Sequence, residues 1–201
     1  MARKVVVTRI GNPAARPFLV VTLAEAKAHC RVDLADDDAL ITSLIESATE
    51  YCERRTNKSL PVRQWSIEMS SFPYDGAEIV VPIAPLSSVS SVTYYDMNNA
   101  AVVMSAGLYR VGTNMECGRI RTAVGTTLWP YTASVGDAVT IVFDAGYATA
   151  ALVPSGYKQA IKLLVGHWYE NREAVSNDAG SAVDLAVDSL LNLLKTGTVA
   201  P

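Results

Sequence analysis

The hydrophobic period of this chain changes twice, and those two changes limit the folds open to it. From Thr22 to about Pro61 apolar residues recur every three or four positions, between Pro61 and Pro154 they alternate with polar ones, and from Pro154 onward the three-and-four spacing returns. Side chains on a helix share a face at intervals near 3.6, and those on a strand at intervals of two, so each stretch can bury its apolar residues in one kind of element only. The expected fold class is therefore α+β. N- and C-terminal helices form a small bundle, and the middle of the chain is an inserted antiparallel β module, either a sheet or a small barrel.

The local signals sharpen this layout. Thr22-Leu23-Ala24-Glu25 has the form of a capping box and predicts a short helix to about Cys30. Asp36-Asp37-Asp38 opens a second helix, whose apolar stripe is read as Leu40, Leu44, Ile45, Ala48, Tyr51 and Cys52. In the middle, Trp65, Ile67 and Met69 alternate with Gln64, Ser66 and Glu68. Short strands are expected at 78–81, 89–95, 101–104, 108–111, 119–122 and 138–144, with Pro, Gly and Asn98-Asn99 as turns. Pro154 starts a helix carrying Tyr157, Ala160, Ile161, Leu164, Val165, Trp168 and Tyr169 on one stripe. Ser181–Asp184 is expected to cap a last helix, with Val183, Ala186, Val187, Leu190, Leu191 and Leu194 inward and Gly197 as its stop. The expected domains are an extended N-terminal arm over 1–21, in which Val5-Val6-Val7 could form an edge strand, a helical domain over 22–60 and 154–195, a β module over 61–153 and a tail over 196–201. The arm and the segment 174–201 are expected to reach other subunits.

The 201 residues are half hydrophobic and 18% charged, a globular composition with a net charge of −3. Residues 1–60 hold 9 basic and 8 acidic groups, residues 61–150 hold 4 and 7, and residues 151–201 hold 4 and 5. No segment has the basic excess of a dedicated nucleic-acid surface. Cys30, Cys52 and Cys117 lack metal or redox spacing and read as reduced thiols. No run approaches the roughly 20 apolar residues of a membrane span, and the Val5-Val6-Val7 run is too short for a signal-peptide core.

Little in the sequence points to catalysis. There is no nucleophile elbow, no phosphate-binding Gly-rich loop and no HExxH, so no cofactor is expected. His167 and Glu170 could share a helix face and bind a metal, which leaves a metal-dependent hydrolase as the enzyme alternative, but further ligands are missing from the neighbourhood. The three aspartates lack the Gly and distal Glu of a calcium loop. Glu116 before Cys117 works against a reactive thiolate there. The segment Trp168-Tyr169-Glu170-Asn171-Arg172-Glu173 gathers residue types enriched at interface hot spots. Trp168 and Tyr169 either finish the apolar stripe or, with Arg172 and Glu173 beyond it, face a neighbouring subunit.

An ordered set of segments carries a family resemblance. Leu23–Asp33, Asp37–Ile41 and Leu44–Tyr51 are followed by Gln64-Trp65, Pro82–Leu86, Ser91–Asp96, Trp129-Pro130, Val139–Tyr147 and His167–Glu173. Together, from about residue 19 to 195, they resemble the head–tail connector (adaptor) family of tailed phages, in the longer version with a β insertion. Cys30 stands where the family usually has Leu, and Asp188-Ser189-Leu190-Leu191 lacks the Pro that often precedes that Leu pair in relatives. The resemblance implies a structural virion protein without catalysis, made in the host cytoplasm and located at the virion neck. It also implies self-assembly into a ring, typically dodecameric, beneath the portal protein. That ring would extend the DNA channel, let genomic DNA pass without specific binding, and receive the next neck or tail-completion protein. Its assembly residues are expected among Trp168, Tyr169, Arg172, Glu173, Leu190 and Leu191. The neighbouring reading is another neck or tail-completion protein.

Overall fold

In a computed structural model the described residues are 5–10, 17–113, 117–125, 128–171 and 179–195, the last without the side chains of 179–182. The architecture is α+β. The chain divides into a helical unit, built from Pro17–Pro61 and the segment from Tyr147 onward, and a β unit, built from Val62–Gly146 and an N-terminal strand.

Among the described residues four α-helices make the helical unit. The first, α1 (Leu23–Cys30), begins on the expected capping box: Thr22 Oγ1 accepts from Glu25 N–H at 3.2 Å, and Thr22 N–H donates to the Glu25 carboxylate at 2.8 Å. It stops at Arg31, which sits in the left-handed region with φ 57°. Next comes α2 (Asp38–Thr56), whose buried line is Ile41, Ile45, Ala48, Cys52 and Thr56, with Leu44 packed at its flank and Tyr51 exposed. The stripe thus lies one position round from the expected one. The acids at its start are committed elsewhere: Asp38 bonds Lys27 at 2.6 Å, and Asp37 makes no side-chain cap.

Helix α3 (Ser155–Glu170) buries Tyr157, Ala160, Ile161, Leu164 and Val165, as its spacing predicts. Helix α4 (Ala179–Leu194) starts two residues before Ser181, so the expected cap at Ser181–Asp184 lies inside the helix. Gly197 is outside the described residues. Val187 and Leu191 are fully buried in the shared core. Val20 and Val21 join that core at 1% exposure, and so does Val153 at 3%. Residues 17–21 and 147–153 therefore pack with the helices instead of forming part of an arm or of the β module.

The β unit contains two antiparallel sheets. The strands are β1 (Val5–Arg9), β2 (Arg63–Met69), β3 (Ile79–Val80), β4 (Leu86–Tyr95), β5 (Ala101–Val103), β6 (Tyr109–Gly112), β7 (Arg119–Thr122) and β8 (Val139–Ala145). A five-stranded sheet runs β1-β2-β8-β4-β5, and a three-stranded one runs β3-β7-β6. Val5–Arg9 pairs along its whole length with β2, Val7 opposite Ile67, so this part of the expected arm is an edge strand of its own unit's sheet. One apolar cluster joins the two sheets: Ile67, Val92, Ile141 and Phe143 from the large one, Ile79 and Ile120 from the small one. Phe72 stacks on Trp129 within it, centroids 5.0 Å apart, and the indole N–H donates to the Ala77 carbonyl at 2.8 Å.

Gly118 shows how tightly these layers close. A Cβ there would overlap the Leu86 side chain down to that residue's own Cβ, which no rotamer change relieves. Gly118→Ala is expected to destabilise the β unit by about 1–3 kcal/mol, the cost of overpacking a filled core. A urea titration reads this directly, and an unchanged midpoint would count against the packing described.

Candidate assembly surfaces

In the helical unit, most of the residues expected to meet a neighbour are used internally. Trp168 is half-buried and meets Tyr51 edge-on, with ring centroids 6.5 Å apart and planes at 88°. The Tyr169 hydroxyl donates to Asp37 Oδ2 at 2.5 Å, tying the end of α3 to the start of α2. Leu191 is 0% exposed and Leu190 packs half-buried beside it. Burial against α2 and α3 has already removed Leu191 from water, so it has no apolar area left to offer. Arg172 and Glu173 lie outside the described residues.

The outward side of α4 carries two leucines that sequence reasoning missed, Leu185 at 68% and Leu193 at 85% exposure. They sit eight residues apart, two turns along one face. Leu193 is two residues from Leu191, about 200° round the helix, so one of them must face out once the other faces in. Asp188, in the same helix, receives both Nε (3.0 Å) and Nη2 (3.1 Å) of Arg55 from α2. That bidentate bond holds the Asp188 carboxyl below its ordinary 3.8. A carboxylate whose folded pKa is depressed contributes stability above its unfolded value and loses it as pH falls through the folded one. Wild type and Arg55→Ala are therefore expected to differ in thermal stability at pH 7 and to converge as pH drops below about 4. A difference that persists undiminished at pH 2 would rule out the ion pair as its source.

Chemistry-bearing groups stand apart. Among the described residues no three His, Cys, Asp or Glu side chains come together to hold a metal. His167 Nδ1 lies 3.2 Å from the Asn171 amide, one turn on. The hollow lined by Met104, Leu108, Thr122, Leu128, Trp129 and Pro130 measures about 140 Å³, below the roughly 300 Å³ at which ligand pockets begin. Among the described residues no helix is long and apolar enough to cross a membrane.

The three cysteines are free thiols. Burial pushes the Cys52 thiol up to about 12, with Glu53 adding to the effect, and burial followed by Glu170 raises Cys30. Since the thiolate is the reactive form, Cys52 is expected to stay unmodified by a disulfide reagent at pH 8 until the helical unit unfolds. Rapid labelling of Cys52 in the native protein, read by peptide mass spectrometry, would contradict its placement.

The β unit presents two charged outer faces. On the small sheet Ile79 and Ile120 face the core, so the alternating positions Arg119 and Arg121, with Arg110 opposite Arg121, lie on the other side. Arg110 lies directly opposite Arg121, and both Arg119 and Arg121 bond the carboxylate of Glu78, the latter at 2.7 Å. On the large sheet the outward rows are Val6–Glu68–Thr140–Thr93–Val103 and Gln64–Asp144–Ser88. Ser88 and Ser90 hydroxyls donate to Asp144 Oδ2 at 3.0 and 3.1 Å.

Comparison with known proteins gives the following. Residues 20–105 match the family of phage gp6-like head-tail connector proteins. The whole chain superposes on one from the neck of the empty gene transfer agent (GTA) particle, computed with C6 symmetry, with TM-score 0.77, 27% identity and 97% of each chain covered. A chain from the virion of the native GTA particle matches with TM-score 0.75 and 26% identity, over 96% of this chain and 97% of that one. A third, from the neck of the native GTA particle computed with C12 symmetry, matches with TM-score 0.74 and 25% identity over 97% of each. No curated protein matches.

Proposed function

From the match of residues 20–105 to the family of phage gp6-like head-tail connector proteins, we infer that the chain is a structural neck protein, a connector subunit of a tailed particle. The observation that carries this is the superposition on a particle-neck chain from end to end, helical unit and β unit alike, at 27% identity and 97% coverage of both chains. Fold and family are those of a structural protein, and the role needs surfaces, not a reaction centre.

In finer terms, copies of the chain close into a ring beneath the portal protein, prolong the DNA channel, and give the next neck or tail-completion protein a platform. The matched necks were computed with C6 and C12 symmetry, which supports a cyclic homo-oligomer, and twelve copies satisfy both. In such a ring one side of each subunit meets a different side of the next, and the rotation closes. A net charge of −3 suits a channel through which DNA must move, because phosphate affinity rises with each basic contact. Three free thiols suit synthesis in a reducing host cytoplasm before the protein takes its place in the virion neck.

Electron microscopy of particles carrying an affinity label on this chain tests the reading. Label at the neck, as a ring, is the expected outcome, and label confined to the tail tip or capsid surface would overturn it. Pull-down with isolated portal protein tests the finer claim. A connector binds the portal directly, whereas a tail-completion protein is retained only when the connector is also present.

A further inference from the structure

Within residues 61–150 the exposed positive charge of the β unit is concentrated on one face. Residues 61–150 contain four basic side chains against seven acidic ones. One of the four, Arg63, is buried at 7% exposure, and the other three, Arg110, Arg119 and Arg121, share the outer face of the three-stranded sheet. Like charges opposite each other on neighbouring strands repel, and Arg110 faces Arg121 in that way. Among the described residues, Glu78 is the one carboxylate bonded there, and it answers Arg119 and Arg121 together. Three guanidinium groups stand on this face with one carboxylate bonded to two of them, so the face carries a surplus of positive charge that an external anion would neutralise.

The opposite face of the same unit has the complementary character. The outer rows of the five-stranded sheet display Glu68 and Asp144 among hydroxyls, an amide and the valines Val6, Val142 and Val103, with Thr8, Gln64, Ser88 and Ser90 exposed, and no basic residue occupies those rows. The two faces point away from each other because both sheets turn their other sides to one apolar cluster.

Resting on the ring reading above, we propose that the arginine face of each β unit docks on the Glu68–Asp144 face of the next copy of this chain. Guanidinium groups match carboxylates with two parallel hydrogen bonds, which sets register as well as attraction. The pairing is heterologous, one face against a different one, as a closed ring requires. Three arginines, two of them already bonded to one carboxylate, make a poor track for a nucleic acid, whose phosphates call for a broad basic surface.

The experiment uses particles from cells in which the chain is replaced by Arg110→Glu/Arg121→Glu, by Glu68→Lys/Asp144→Lys, or by both variants expressed together. Alone, each variant opposes like charges at every contact, and neck rings are expected to fall at least tenfold in electron micrographs. Together, the variants can alternate round a ring of even number, and rings are expected to return. Rings at wild-type frequency from either variant alone would overturn the proposal. So would failure of the mixture when both purified variants unfold at wild-type temperatures.

A milder pair, Arg110→Gln and Glu68→Gln, covers the case of a variant that does not fold. Each should lower the salt concentration at which isolated rings dissociate, and unchanged dissociation in both would overturn the proposal. Rings that stay intact in the arginine variant while duplex DNA retention at low salt is lost would assign the face to nucleic acid instead. Wild-type particles with no neck ring at all would refute the ring reading itself, a result distinct from any of these.

Discussion

Phe143→Ala is expected to lower the unfolding free energy of the β unit by about 3–5 kcal/mol. Phe143 is 0% exposed at the centre of β8, opposite Trp65 on one side and Val89 on the other, in the cluster that joins both sheets. Removing the ring takes away its transfer free energy and leaves a cavity that the paired strands cannot close without breaking register. Urea unfolding followed through the indoles measures the loss, since Trp65 and Trp129 report on the β unit and Trp168 on the helical one. The Trp168 signal serves as an internal reference if the units unfold in separate transitions. A loss below about 1 kcal/mol would mean that the two sheets do not share a core through this residue.

The second large effect separates packing from assembly in α4. Leu191→Ala is expected to cost the helical unit about 2–5 kcal/mol in the isolated chain, because the side chain is 0% exposed among residues of α2 and α3. Leu193→Ala, two residues on at 85% exposure, is expected to change stability by less than about 0.5 kcal/mol. Thermal or urea unfolding of the two variants decides the matter. If Leu191→Ala unfolded like wild type and failed only in ring formation, Leu191 would be an interface residue and the burial described here would be wrong.

The helices were legible because their signals are local. Thr22 and Glu25 are three residues apart, and the capping box they predict forms between those two side chains. The stripe of α3 was read residue by residue from Tyr157 to Val165, since a regular helix turns its side chains by a constant angle. In α2 the same rule left a choice between Leu40 and Ile41, both apolar. Burial of Ile41, Ile45 and Cys52 on one line resolved it, and that line exists only because another helix lies against it.

Strands were legible as segments and not as a sheet order. Alternation marks where β8 runs, but it carries no information on which strands pair with it. Its neighbours are β2, more than seventy residues earlier, and β4. The division into a five-stranded and a three-stranded sheet follows from such distant pairings. The same is true of Val5–Val7, three apolar residues readable as an edge strand or a loose arm until β2 is found beside them.

The candidate surfaces show the same boundary. Trp168, Tyr169 and Leu191 belong to residue types that suit interfaces and cores equally, and composition cannot say which side of a helix is already covered. The arginines at 110, 119 and 121 are scattered in the sequence, and only the β6–β7 register aligns them into one face. The sequence by itself determined the two helical ends and the β middle, and an ordered set of short segments carried the resemblance to the connector family, because each depends on neighbours within a few residues or on simple order. The tertiary structure alone decided which leucines face out, which aromatics are committed, and which distant charges meet, because burial and pairing are properties of two segments brought together.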